Sequence, residues 1–168
     1  MSTRAFALLA VSGTLLASVA ALAGAATVAG WIERARLGAE GVQVWAKLDT
    51  GADSSSLHAR DVRWFVRDEA DWVAFEVEGL DGRKVRFERK VVRIARVRRP
   101  TGEVQRRPTV LLGVCVGDVY RVTEVNLTDR SAFDYPMLIG RRFLAGEFIV
   151  DSSRAGVLEP RCPEAQQR

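Results

Sequence analysis

Apolar and polar residues alternate along most of the chain beyond residue 30. Val42, Val44, Ala46 and Leu48 alternate with Gln43, Trp45 and Lys47, a period of two that runs straight into Asp49. A strand pattern also opens at residues 31–37, and residues 72–78 and 85–92 alternate again, with Asp81-Gly82 as the hairpin turn between the latter two. Residues 91–98 and 104–112 flank Arg99-Pro100-Thr101-Gly102, a second hairpin; residues 110–116 and 119–127 flank Gly117-Asp118, a third. Residues 148–151 form a short last strand. One short helix is predicted at residues 141–145, after Gly140. Many short strands with glycine-containing turns predict an all-β fold, closed or nearly closed into a barrel.

The N-terminus departs from this pattern. Ala5 to Ile32 carry no charge, and Arg4 precedes them. The run is long enough to cross a bilayer. It also has the parts of a secretory signal: a short positive start, an apolar centre, and small residues near 23–26 where a signal peptidase would cut. Residues 1–26 are therefore expected to be a signal peptide or an N-terminal membrane anchor, residues 27–156 the domain, and residues 157–168 a C-terminal tail. Export to the periplasm is the expected localisation, with anchoring to the inner membrane as the alternative. A Cys115–Cys162 disulfide is then permitted, although nothing in the spacing requires it. Cys115 lies in an apolar strand, where a buried thiol is the more ordinary outcome.

Composition narrows the chemistry. The chain has 168 residues, enough for one domain, with 48% hydrophobic and 27% charged residues and a net charge of +4. Of its 25 basic residues three are Lys (Lys47, Lys84, Lys90), which leaves 22 Arg. Arginine suits bidentate capture of carboxylates and phosphates, so the bias hints at an anionic partner; a GC-rich genome gives the same bias. One His (His58) and two Cys, with no HExxH and no GxxxxGK[ST], argue against a zincin and a P-loop ATPase. No metal and no cofactor are expected.

Two segments carry chemistry. In Leu48-Asp49-Thr50-Gly51-Ala52-Asp53 an acid ends an apolar strand and is followed by a hydroxyl and a glycine. Aspartic proteases bring two such loops together so that their carboxylates share a proton and activate a water. Read alone, the tripeptide is also an ordinary strand-ending turn. The second segment is Tyr135-Pro136-Met137-Leu138-Ile139-Gly140-Arg141-Arg142, about ninety residues later.

Together the two segments resemble the retropepsin-like aspartic peptidases. The stretches Ala46–Ala59, Leu127–Ser131 leading into Tyr135–Arg142, and Phe148–Asp151 resemble one bacterial branch of that clan. This branch long carried the label of an ATP-dependent zinc protease and often travels with ATP-grasp ligases that add glutamate. The label conflicts with the missing zinc and nucleotide motifs. The resemblance, over roughly residues 30–153, implies one lobe of the acid-protease fold: a closed β-barrel with one short helix near the C-terminus. It implies Asp49, Thr50 and Gly51 as catalytic residues. Ala52, Asp53, Leu138, Ile139, Gly140 and Arg141 would support the site, with Arg141 paired to Asp53. A single Asp-Thr-Gly per chain implies a homodimer with one Asp49 from each subunit. His58 receives no role.

Retropepsins cover substrate with a hairpin flap, and the hairpin at residues 98–103 is the candidate here. From Arg83 to Arg107 there are eleven basic residues, with Glu88 and Glu103 as the acids among them. Arg98, Arg99, Gly102, Arg106 and Arg107 are the candidate substrate-binding residues. A cationic flap would gather acidic, glutamate-rich peptide; the same residues also read as a solvated basic face. With Phe87 as the sole aromatic residue in this stretch, no stacking platform for nucleic acid is expected. The expected activity is an aspartic endopeptidase acting on acidic peptide or protein. The alternative is a non-catalytic module of the same fold that holds an anionic cell-envelope polymer.

Overall fold

The computed structural model describes residues 25–98 and 102–163. Ten strands and one short helix follow in order: β1 (Thr27–Leu37), β2 (Val42–Leu48), β3 (Ser55–His58), β4 (Arg60–Arg67), β5 (Ala70–Glu78), β6 (Lys84–Arg98), β7 (Val104–Val116), β8 (Val119–Thr128), β9 (Met137–Ile139), α1 (Arg141–Leu144) and β10 (Phe148–Ala155). The strands form one sheet in the order β10-β1-β2-β9-β3-β8-β7-β6-β5-β4. β1 also pairs with β7 through Arg36–Cys115 and Leu37–Val114, which closes β1, β2, β9, β3, β8 and β7 into a ring. The expected all-β barrel with one short helix is what the described residues form.

Closure follows from the alternation. In β2, Val42, Val44, Ala46 and Leu48 are buried while Gln43, Trp45 and Lys47 are not. β7 and β8 contribute Val110, Leu112, Val114, Val125 and Leu127 to the same interior, and Met137, Ile139 and Phe143 fill it from β9 and α1. Phe75 and Phe87 stack with ring centroids 5.3 Å apart and extend this core under the β5–β6 hairpin.

Several boundaries differ from expectation. β1 starts at Thr27 rather than Trp31, because its first residues pair in parallel with β10, from Thr27–Phe148 to Gly30–Asp151. The two strands expected over 85–92 and 91–98 are one strand, β6. Its first half pairs with β5 and its second with β7, and a register shift between Val91 and Arg93 marks the change of partner. Likewise residues 104–116 are the single strand β7. β10 runs on to Ala155. β3, β4 and β9 were not anticipated. β4 is largely exposed, β3 opens with two serines, and β9 has three residues, so none shows a clear period.

The expected leader, residues 1–26, lies outside the described residues except for its last two. No helix among the described residues is long and apolar enough to cross a membrane. The expected tail begins with residues fastened to the barrel. Glu33 is fully buried in β1 and accepts hydrogen bonds from the N–H groups of Gly30 (2.6 Å), Val157 (3.3 Å) and Leu158 (2.8 Å). Arg161 N–H donates to the Gly117 carbonyl at 2.7 Å. Cys115 is not a free thiol: it forms a disulfide with Cys162, Cα to Cα 6.0 Å, which pins the segment to the end of β7.

Candidate active site

β9 lies between β2 and β3, parallel to the first and antiparallel to the second. This places the loop from Asp49 to Ser54 against the segment that follows Ile139. Asp49 N–H donates to the Ile139 carbonyl at 2.8 Å, extending the β2–β9 ladder by one residue into the acid. On the other side Arg141 N–H donates to the Ala52 carbonyl at 2.9 Å and Arg142 N–H to the Asp53 carbonyl at 3.1 Å. Gly140 N–H reaches Ser55 Oγ at 3.2 Å, and Asn126 Nδ2 donates to the Ser55 carbonyl at 2.6 Å. A Cβ on Gly140 would stand 2.7 Å from the Ser54 carbonyl oxygen and 3.0 Å from that of Ala52. Glycine is required there by close approach of two backbones.

The Asp49 carboxylate is half-buried. Its Oδ1 accepts the N–H of Gly51 at 2.9 Å and that of Ala52 at 3.3 Å, so the loop orients its own acid. Thr50 and Gly51 are exposed on the single chain. Leu138 and Ile139 sit in β9, with Ile139 fully buried and Leu138 paired to Lys47 and Ser56. The sequence-predicted catalytic and supporting residues are thus brought together in one place.

The arginine roles differ from those implied by resemblance. Arg141 Nη2 lies 3.8 Å from Asp53, whereas its Nη1 donates to the carbonyls of Gly51 (2.8 Å) and Thr50 (3.1 Å). The closer partner of Asp53 is Arg142, at 3.0 Å through Nε. Arg142 continues to Glu124 at 3.2 Å, and Glu124 accepts two hydrogen bonds from Arg93 at 2.8 and 2.6 Å. Those Arg93 bonds, followed by the Arg93 and Arg142 charges, outweigh partial desolvation and hold the Glu124 carboxyl below its usual range. An ionic relay therefore runs from the loop to β6, the strand that carries the hairpin.

The candidate substrate-binding residues are dispersed. Arg99 lies outside the described residues. Gly102 has a left-handed φ of +86°, which glycine adopts without strain. Arg106 is exposed opposite Arg96, a pair of like charges across two strands. Arg98 and Arg107 line a cleft of about 410 Å³ together with Val97, Asp129, Ser131, Ala132 and Phe133. Arg107 donates to Gln105 and to Asn126 Oδ1. Behind the cleft, between its lining residues Asp129 and Ser131, lies a residue given no role by the sequence, Arg130, which is 7% exposed. Its place inside the stretch Leu127–Ser131 was the available signal. His58 Nδ1 accepts the Arg130 N–H at 2.8 Å, a structural contact. Among the described residues no group of three His, Cys, Asp or Glu is arranged to hold a metal ion.

Ring closure, a β9 strand threaded between β2 and β3, and an Asp-Thr-Gly loop bonded to the Gly-Arg segment define the retropepsin-like class. The chain belongs to the RimB-like family, described as "Retropepsin-like aspartic endopeptidase RimB", whose family model matches residues 28–160. A protein of Parasynechococcus marenigrum named "Probable alpha-L-glutamate ligase" is 37% identical over 109 residues, 63% of this chain and 23% of that protein. A Desulfotalea psychrophila protein of the same name is 31% identical over 124 residues, 72% of this chain and 26% of its own. The chain thus spans about a quarter of the length of these curated relatives. The crystal structure of Lpg0085 from Legionella pneumophila, described as a protein with unknown function, is 34% identical. Its TM-score is 0.68, over 81% of this chain and all of that one.

Proposed function

We propose that the protein is an aspartic endopeptidase, active as a homodimer, that cleaves acidic, glutamate-rich peptides. The observation that carries this reading is the Asp49 loop, held by Ile139, Arg141 and Arg142 with its carboxylate half-buried and Thr50 and Gly51 exposed beside it. One chain supplies one such acid. Two copies related by a two-fold axis would set both Asp49 carboxylates together with the exposed Thr50 and Gly51 at the contact. The pair would hold one proton between them, and the titration would belong to the dyad. The ionised carboxylate takes a proton from the attacking water, and the protonated one hydrogen-bonds the scissile carbonyl. Thr50 braces the two loops, and Gly51 offers backbone contact to substrate.

Two features support an acidic substrate: the cations Arg98 and Arg107 in the cleft, and the glutamate-ligase names of the relatives. Export is the compartment this reading adopts, because a disulfide persists in oxidising surroundings. The test is Asp49→Asn. Cleavage of a glutamate-rich peptide should fall by about a thousandfold or more, with the dimer mass and thermal midpoint retained. Undiminished cleavage by that variant, or a strictly monomeric active protein, overturns the reading.

A further inference from the structure

Arg130 is a buried guanidinium, 7% exposed, directly behind the cleft residues Asp129, Ser131 and Phe133. Nη1 donates to Ser56 Oγ at 2.9 Å and Nε to the Tyr135 carbonyl at 3.2 Å. The group stacks over Phe133, 4.5 Å from the ring centroid, and Phe133 is itself 61% exposed in the cleft. Five N–H donors leave the side chain, and these two bonds use two of them. Nη2 has no acceptor among the described residues, and no described carboxylate forms an ion pair with Arg130. The nearby Asp129 is engaged elsewhere, by the Ser131 N–H at 2.8 Å.

A cation that is nine-tenths buried without a carboxylate partner is costly to keep. Its surroundings do not remove that cost. Desolvation and the Arg107 charge pull the Arg130 pKa down, and the Asp49 charge opposes them as the smallest of the three influences. Asp49 is therefore within electrostatic reach, while the balance at Arg130 still calls for an anion.

We propose that Arg130, with Arg107 beside it, is the specificity residue of this site: its remaining Nη2 edge receives a substrate carboxylate next to the bond attacked by the water that Asp49 activates. This rests on the endopeptidase reading and adds which residue selects the substrate. Glutamate side chains and a chain-terminal carboxylate present the same chemistry, and Arg130 is rigid enough to prefer either over the neutral amide. A site built to pair a charge rejects the uncharged isostere by more than a solvated surface does.

The experiment compares an acidic peptide with two neutralised versions, one carrying Gln for Glu and one amidated at its C-terminus. Wild-type kcat/KM should favour the acidic peptide over at least one of them by roughly tenfold or more. The version that loses activity identifies which carboxylate is held. Arg130→Gln should shrink that preference toward unity. Equal losses on all three peptides, or an unchanged preference, overturn the proposal. Because Arg130→Gln could disturb folding, a second measurement leaves residue 130 intact. In Asp49→Asn protein, the Arg130 Nε NMR resonance should shift on adding the acidic peptide and not the neutralised one; no shift with either overturns the assignment. That binding readout is independent of turnover, so a failure of the peptidase reading alone remains distinguishable.

Discussion

Arg141 Nη1 lies 2.8 Å from the carbonyl oxygen of Gly51, joining residues ninety positions apart in the chain. The same nitrogen reaches the Thr50 carbonyl. The side chain thereby holds the backbone of the proposed catalytic loop, and its contact with Asp53 is secondary at 3.8 Å.

This division of labour predicts that the two neighbouring arginines respond differently to substitution. Arg141→Ala removes a charged donor from two loop carbonyls. It should lower peptide cleavage by roughly tenfold and stability by about 1 kcal/mol, the low end for such bonds because the side chain is half-exposed. Arg142→Ala breaks exposed ion pairs and should cost about 0.5 kcal/mol with a smaller loss of activity. Urea unfolding and kcat/KM on one peptide check both; a larger activity loss for Arg142→Ala contradicts the assignment.

Gly140→Ala tests the close approach directly. The added methyl would stand 2.7 Å from the Ser54 carbonyl oxygen, and both neighbours are backbone, so relief requires the loop to move. Stability should drop by about 1–3 kcal/mol, and cleavage should fall with it because Asp49 belongs to that loop. A variant with wild-type thermal midpoint and activity would show that the two segments are not in contact.

How much of this was legible beforehand depends on what each residue touches. Val42 to Leu48 declared β2 because one face is buried and the other is not. Asp49 and Gly140 were legible because their residue types are tied to the chemistry and to tight packing. Arg141 and Asp53, paired by the resemblance, lie 3.8 Å apart. The preference of Arg142 for Asp53 was not readable, since two adjacent arginines are indistinguishable until the helix start fixes their directions. Arg130 is not legible in the sequence because arginine is normally a surface residue, and only the fold shows it closed in by Ser56, Tyr135 and Phe133. Residues 157–162 read as a tail because nothing local announces that Glu33, 124 residues before Val157, binds the N–H groups of Val157 and Leu158.

The disulfide makes a separable contribution. It joins positions 47 apart and anchors the segment that Glu33 also holds. A covalent loop of that size restricts the unfolded chain by about 3–4 kcal/mol. Cys162→Ser should lower stability by that order in denaturant titrations under oxidising conditions. A strong reductant should bring the wild-type protein to the same midpoint. An unchanged midpoint in both experiments would show that the link does not form.

The ionic relay through Glu124 makes stability depend on pH in a defined direction. Arg93 donates two hydrogen bonds to its carboxylate and Arg142 a third, holding its pKa below the ordinary glutamate value. A group whose folded pKa is depressed stabilises the fold fully above its unfolded pKa. That contribution fades as pH falls through the lowered folded value, because the unfolded chain takes up the proton more readily. Glu124→Gln should therefore be less stable than wild type at neutral pH, and the gap should narrow as pH is lowered past the normal carboxylate range. Removing Arg93 first, as Arg93→Ala, should flatten most of that dependence, since its hydrogen bonds are the largest cause of the depression. Thermal midpoints of wild type and the two variants across acidic and neutral pH check this. A gap that widens on acidification would show that Glu124 is not held as an ion in the folded protein.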